Sequence, residues 1–334
     1  MSQIRVGLIG FGLSGKVFHA GLLKHHSAYV ITTVSSSRPN DVHAVLPSAR
    51  VVTTPEKLIA SEDVDLVINC SPNSHHFSLS ALALESGKHV VIEKPFVNTS
   101  EEGRKLISIA KKSNRVLSVF HNRRWDGDFL TISKLFREGK LGKIKHFESH
   151  FDRLRPKVRA ERWREQAGDG SGIWFDLGAH LLDQTLQLFG EPDTISADIV
   201  LQRDGATTDD FFHVILQYGE MRAILQSSPF TDQTPRFQVF GDKGSFLKFG
   251  LDPQEDQLRS GLSPHDVAFG VDPASDVVTE RGQYLKFYDE LALAITMGKK
   301  TPVTAESALR VIELIELGFE SSKLKRTLQV PRRT

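Results

Sequence analysis

Cysteine is nearly absent from this sequence: Cys70 stands alone among 334 residues. A lone thiol excludes an intrachain disulfide and any multi-cysteine metal site. Long hydrophobic runs are missing too, since no segment approaches the roughly 18–20 apolar residues of a membrane span. Excess charge of either sign is also lacking. Lys and Arg number 42 against 41 Asp and Glu, which leaves no basic field for nucleic acid and no acidic tail. Internal repeats and low-complexity tracts are not found. The chain opens Met1-Ser2-Gln3 and enters a strand at once, without a signal-peptide pattern, so a cytoplasmic location is expected. What is present is ordinary globular material. Hydrophobic residues make up 40% and charged residues 25%, enough to bury a real core over a length that suits two domains.

The first half alternates strand and helix. Ile4 to Ile9 reads as a strand, Gly10-Phe11-Gly12-Leu13-Ser14-Gly15 follows, and Val17 to Leu23 reads as a helix. This is G-x-G-x-x-G in the setting that gives it meaning. The first glycine permits a tight turn, the second lets backbone approach a pyrophosphate, and the third lets helix pack on strand. The helix start offers N–H groups and positive potential to phosphates. The second strand, Val30 to Val34, ends in Ser35-Ser36-Ser37-Arg38, with no acidic residue before Asp41. Hydroxyls and a guanidinium can hold a 2′-phosphate that a carboxylate would repel, so NADP is expected, with NAD the less favoured cofactor.

Asp65 to Cys70 is a further strand, leading through Ser71-Pro72-Asn73-Ser74-His75-His76 into a helix from Phe77 to Glu85. Cys70 reads as a small buried hydrophobe rather than a nucleophile. His89-Val90-Val91-Ile92 has the unbroken apolar character of a strand covered on both faces. Glu93-Lys94-Pro95 terminates it, because proline cannot donate to a ladder. That places Lys94 at the carboxyl end of a strand, where ligands bind in open α/β sheets. Ser100 starts a helix reaching Ser113, and Val116 to Phe120 is another strand, followed by His121-Asn122-Arg123-Arg124-Trp125. The alternation predicts a doubly wound parallel sheet, with Gly10, Ser71, Glu93 and His121 along one edge.

After Trp125 the rhythm changes. A helix from Phe129 to Glu138 precedes strands at Lys143–Asp152, Thr194–Leu201, Phe211–Tyr218, Met221–Ser227, Phe237–Phe240 and Ser245–Phe249. Tight links at Gly219-Glu220 and Gly241-Asp242-Lys243-Gly244 predict hairpins, hence an antiparallel sheet in an α+β domain. The uncovered face of that sheet suggests a homodimer or homotetramer. Residues 251–281 read as loop-rich, and Tyr284–Met297 and Ala305–Ser322 as closing helices. Within Ile173–Asp183, Asp176, His180 and Asp183 fall at i, i+4 and i+7 among Trp, Phe and Leu. Three readings compete for this stripe: a solvated face, a metal site lacking an obvious further ligand, or acid–base work, for which imidazole is suited. No metal is expected.

Together these motifs resemble the Gfo/Idh/MocA oxidoreductase family, which includes glucose–fructose oxidoreductase and inositol dehydrogenases. Gly10-x-Gly12-x-x-Gly15, Ser71-Pro72-Asn73-x-x-His76, Glu93-Lys94-Pro95 and Asp176-x-x-x-His180 stand in the family's order and span essentially the whole chain. His121 to Trp125, Arg162-Trp163-Arg164 and the serine-rich end of the second strand look similar to the NADP-dependent scyllo-inositol dehydrogenase branch. The resemblance implies a Rossmann dinucleotide-binding domain over residues 1–122. It implies an α+β domain with a large, mainly antiparallel open sheet over 123–334, for substrate binding and oligomerisation. It implies that Lys94 reaches both the nicotinamide and the reacting hydroxyl, with Asp176 and His180 completing the catalytic group. The cofactor residues expected beside the glycine-loop set and Ser36, Ser37 and Arg38 are Ser71, Pro72, Asn73, His76, Glu93, Lys94, Asn122, Trp163 and Arg164.

The activity expected is hydride transfer between NADP and a secondary alcohol of a sugar or cyclic polyol, scyllo-inositol among them. His180 is the first choice of base and Lys94 of oxyanion partner; the roles can be exchanged, because lysine beside a cationic ring can be deprotonated. A non-catalytic dinucleotide-binding sensor and nicotinamide-dependent glycoside cleavage are the rival readings. Arg123, Arg124 and Arg162 suit a substrate phosphate, a substrate carboxylate or a structural carboxylate partner.

Overall fold

The computed structural model describes residues 3–159 and 165–332. Contacts divide the chain into two units. The first comprises Met1–Asp126, Pro253–Val271 and Arg281–Leu309; the second comprises Gly127–Asp252, Asp272–Glu280 and Arg310–Thr334.

The first unit is built on β1 (Ile4–Ile9), β2 (Tyr29–Ser35), β3 (Arg50–Val52), β4 (Leu66–Asn69), β5 (His89–Ile92) and β6 (Leu117–Val119). They form one sheet in the order β3-β2-β1-β4-β5-β6, and every pairing is parallel. This is the Rossmann-like arrangement expected. The runs Leu66-Val67-Ile68 and Val90-Val91-Ile92 are wholly buried, as strands covered on both faces must be. Strand β3 and the short helices Pro39–His43 and Pro55–Ile59, each opening on proline, are additions to the expected alternation. The Ser100–Ser113 helix is capped by Thr99, whose hydroxyl accepts the Glu102 N–H while the Glu102 carboxylate accepts the Thr99 N–H. Asn114 ends it in the left-handed region at φ 51°. The loop-rich residues 251–281 include one helix, at Gln254–Arg259. The Leu285–Met297 helix lays Phe287 and Tyr288 into this unit's core, with the Phe287 ring 4.9 Å from that of Phe120.

The second unit holds β7 (Ile144–His150), β8 (Thr194–Val200), β9 (Phe211–Tyr218), β10 (Met221–Ser227), β11 (Phe237–Gly241), β12 (Ser245–Lys248) and β13 (Leu328–Gln329). Their order is β12-β11-β7-β10-β9-β8-β13. Both expected hairpins form, β9–β10 and β11–β12. The sheet is mainly antiparallel, but β7 and β10 run parallel. No hairpin joins those two strands, so nothing local reverses the chain between them.

One face of this sheet is covered. Phe147, Phe212, Val214, Leu216, Ala223 and Leu225 are buried there. Phe147 meets Phe189, and Phe212 meets Trp174, across ring distances of 5.2 and 4.8 Å. On the other face Glu148 joins His146 and His150 at 2.5 and 2.9 Å, with Gln238 donating to it at 2.8 Å. Among the described residues no helix is long and apolar enough to cross a membrane.

Trp174 is fully buried, and its indole N–H donates to the Ile315 carbonyl at 3.1 Å. Two glycines make room for it. A Cβ on Gly178 would lie 2.2 Å from the indole and one on Gly318 3.0 Å from it. Gly→Ala at an exposed helical site usually gains about 1 kcal/mol. Gly178→Ala should instead destabilise by about 1–3 kcal/mol through overpacking, read as a lower urea midpoint at unchanged slope. A midpoint equal to or above wild type would show that the indole has room to move.

Candidate active site

In the first unit the carboxyl ends of the parallel strands assemble the expected groups. Strands β1 and β4 flank the point where strand order reverses, the place for a nucleotide in such sheets. The three glycines after β1 answer different demands. Gly10 has φ +89°, and a Cβ there would meet the Cys70 carbonyl oxygen at 2.8 Å. A Cβ on Gly15 would come 2.3 Å from the Gly10 oxygen. The fold itself therefore requires these two. Gly12 has no atom within 4 Å of its would-be Cβ. Nothing in the protein demands glycine there, whereas a pyrophosphate drawn against bare backbone does. The helix that follows starts at Ser14, earlier than the expected Val17, and its Ser14–Ala20 stretch is π-helical before Gly21–Leu23.

Glu93 binds this loop to the end of β5. One carboxylate oxygen accepts from the Ser14 hydroxyl and lies 2.9 Å from His19 Nε2. The other accepts the Lys94 N–H at 3.0 Å. The second ring nitrogen of His19 meets the Tyr288 hydroxyl. One tautomer satisfies the whole chain: Nε2–H donates to Glu93 and Nδ1 accepts from Tyr288. Burial alone would raise the pKa of Glu93; His19, Ser14 and the Lys94 charge outweigh it and hold the carboxyl at about 2. Burial, reinforced by Glu93, pushes the neighbouring Cys70 thiol well up, so it stays protonated, as the inert reading of that cysteine expects.

The loops after β4 and β5 are locked together. The Asn69 side chain accepts from the Ser71 N–H and hydroxyl at 3.2 and 2.7 Å and donates to Ser80 at 3.0 Å. His76, almost fully buried, lies between the carbonyls of Pro95 at 2.8 Å and Ser71 at 3.1 Å. Burial lowers its pKa although both carbonyls favour the charged ring. Pro72 leads into the turn that carries the buried Asn73. Lys94 is half-buried, and its bond to Pro95 is cis. Asn122 is buried at the turn after β6.

At the end of β2, Ser36 Oγ accepts the Arg38 N–H at 3.1 Å. The Arg38 guanidinium donates to the Phe11 carbonyl at 3.0 Å and pairs with Asp41 at 3.3 Å. A cation and the Ser36–Ser37 hydroxyls thus stand beside the glycine loop. Arg123 is engaged by Asp126 and Glu255 at 3.2 and 3.3 Å, and Arg124 by Ser307 at 3.1 Å. Arg123 thus has structural carboxylate partners, as one of its readings expects.

In the second unit Asp176 is half-buried within the π-helical Trp174–Gly178 stretch. His180 and Asp183 are buried in the Ala179–Phe189 helix that continues it. A solvated face is thereby excluded for those two. Trp163, Arg164 and Arg162 lie outside the described residues. No cluster of His, Cys, Asp and Glu suited to a metal occurs among the described residues. Sequence reasoning missed His19 and Tyr288. An apolar helix hid the first, and a sequence separation of 269 set the second apart from its partner.

Comparison with known proteins supplies a further finding. Residues 4–121 match the model "Oxidoreductase family, NAD-binding Rossmann fold", and residues 133–330 match "Oxidoreductase family, C-terminal alpha/beta domain", both of the Gfo/Idh/MocA group. The uncharacterized oxidoreductase YdgJ of Escherichia coli is 45% identical, with 98% of each chain covered. IolW of Bacillus subtilis, named scyllo-inositol 2-dehydrogenase (NADP(+)), is 42% identical, with 99% of this chain and 97% of IolW covered. The solved structure of yvaA from Bacillus subtilis superposes with a TM-score of 0.95 at 41% identity, covering 99% of both chains.

The Glu93 network carries a pH signature. An unfolded Glu93 takes up its proton near its ordinary 4.5 and the folded one only near 2. Stability from this shift is therefore complete above the unfolded value and is lost as pH falls toward the folded one. Glu93→Gln should cost on the order of a few kcal/mol at pH 7. Its gap to wild type should narrow steadily below pH 4.5 in chemical unfolding. A gap independent of pH would remove the carboxylate's charge from the explanation.

Proposed function

The chain belongs to the Gfo/Idh/MocA oxidoreductase family, and on that premise we propose that it moves hydride between NADP and a secondary alcohol of a cyclic polyol or sugar, scyllo-inositol first among them. The observation that carries this reading is the Glu93 tie, which fixes the glycine loop and the Lys94 backbone to one another at the carboxyl edge of the sheet. The cofactor fits by the same geometry. Gly12 leaves bare backbone for the pyrophosphate, and Ser36, Ser37 and Arg38 suit a 2′-phosphate. The likeness to IolW supports both the cofactor and the substrate class.

Bound nicotinamide would supply the hydride acceptor or donor at its C4. The protein's own part is to bind, orient and move one proton. Lys94 would hold the reacting oxygen through a charge-assisted hydrogen bond as negative charge gathers on it. His180 would take the hydroxyl proton during oxidation and return it during reduction. Asp176, one helical turn before His180, would orient that imidazole or a substrate hydroxyl. Burial of His180 limits its exchange of protons with bulk water.

Two outcomes test the reading. Lys94→Ala should lower kcat by about 10²-fold or more, followed by NADPH absorbance over a panel of inositol isomers and aldoses, with NADPH affinity little changed. Full activity in that variant would remove Lys94 from the chemistry, and no turnover of any polyol by wild type with either cofactor would favour a sensor. Arg38→Ala should weaken NADPH binding by about tenfold or more, the worth of one charge-assisted hydrogen bond, and leave NADH binding nearly unchanged. Equal losses for both cofactors would refute the 2′-phosphate role.

A further inference from the structure

The proposed chemistry leaves unused one acid that packs against the helix bearing Asp176 and His180. Asp209 lies near the end of the connection from β8 to β9. Its Oδ2 accepts the Trp174 N–H at 2.7 Å, and its backbone carbonyl accepts the Ile173 N–H at 2.9 Å. Those donors belong to the first turn of the helical stretch, where no intrahelical acceptor exists. The cap therefore comes from a segment more than thirty positions away in sequence. Negative charge at that end also suits the helix dipole.

Gly172 makes the arrangement possible. Its φ is +91°, and a Cβ there would lie 2.0 Å from Asp209 Oδ1 and 2.8 Å from Thr208 Oγ1. The space a side chain would fill is the space the carboxylate occupies. Burial raises the Asp209 carboxyl to about 6, against the Trp174 and Ile173 N–H groups that favour its charged form. A carboxylate kept that far from water is costly unless its hydrogen bonds are fixed.

The adjoining Asp210 fastens the other end of the connection. It accepts the N–H groups of Gln202 and Arg203 at 2.7 and 3.1 Å and the Arg203 Nε–H at 2.9 Å. Arg203 then reaches Glu165 at 3.1 Å and the Lys157 carbonyl at 3.2 Å. Thr207 donates to the Glu165 carbonyl at 3.1 Å. Consecutive aspartates thus tie two separate pieces of the second unit to one short connection.

We infer that Asp209 is a positioning residue: it fixes the start of the helix that carries Asp176 and His180, and with it the direction in which both side chains project. This rests on the oxidoreductase reading above for its catalytic consequence, though not for its structural one. Misplacement of a catalytic group by as little as an ångström can cost about 10²-fold in rate.

The test compares Asp209→Ala and Asp209→Asn with wild type at neutral pH. Asp209→Ala should lower kcat by about tenfold or more, while the Kd for NADPH, read by fluorescence quenching, stays within about twofold. Asp209→Asn keeps a side-chain carbonyl for the Trp174 N–H and should recover most of kcat. Hydrogen exchange across residues 173–184 should rise in the alanine variant and stay near wild type in the asparagine variant. If Asp209→Ala does not fold, Gly172→Ala takes its place, since its Cβ displaces the carboxylate. Wild-type kcat and exchange in the alanine variant overturn the inference, as does a loss that asparagine shares in full with unchanged exchange. If wild type turns over none of the polyols, the exchange comparison alone decides whether Asp209 positions the helix, and the failure belongs to the proposed reaction.

Discussion

The nucleotide-binding end of this protein depends on one largely buried carboxylate. The Glu93 side chain is only 12% exposed, and an unpaired carboxylate there would neutralise or unfold its surroundings. It does neither, because Ser14, His19 and the Lys94 N–H occupy its oxygens. Those partners come from the glycine loop, the helix after it and the end of β5. The electrostatic requirement of a single group therefore sets the spacing of three elements. Tyr288 extends the chain of bonds to the second ring nitrogen of His19.

The second unit meets the same requirement by other means. Arg236 is buried, with its guanidinium 4.0 Å above the Phe237 ring and bonded to Ser149 and Gln184 at 2.6 and 2.7 Å. Gln184 lies one turn beyond His180, so that helix is held at its start by Asp209 and again here by Arg236. Buried polar groups of this kind stabilise little in net terms, because desolvation offsets most of the gain. Their effect is to admit one arrangement and make its neighbours costly.

Much of this was legible in the sequence, and the parts that were not share a cause. Period and punctuation marked β1, β5 and both hairpins, because local sterics decide those features. The glycine loop was legible because Gly10 and Gly15 are demanded by backbone contacts within a few residues or across one strand. The parallel pairing of β7 with β10 was not, since register between distant segments leaves no local mark. The two-residue β13 is too short to show a period. The π-helical turns at Ser14–Ala20 and Trp174–Gly178 also went unseen, and they shift the faces that i, i+4 spacing assigns. Asp176, His180 and Asp183 were singled out by that spacing and by their apolar neighbours, and the π-helical stretch ends between the first two. Asp209 and Tyr288 were missed because each acts on a partner far along the chain.

The division of the chain has a consequence for how the protein comes into being. The first unit draws on Met1–Asp126 and again on Arg281–Leu309, with much of the second unit encoded between them. A ribosome releasing the chain from its N-terminus therefore exposes Glu93 and His19 long before Tyr288 exists. Until that tyrosine emerges the nascent nucleotide lobe lacks a member of its innermost hydrogen-bonded chain. The completed lobe is thus a late product of translation, although its sequence motifs are nearly all spoken first.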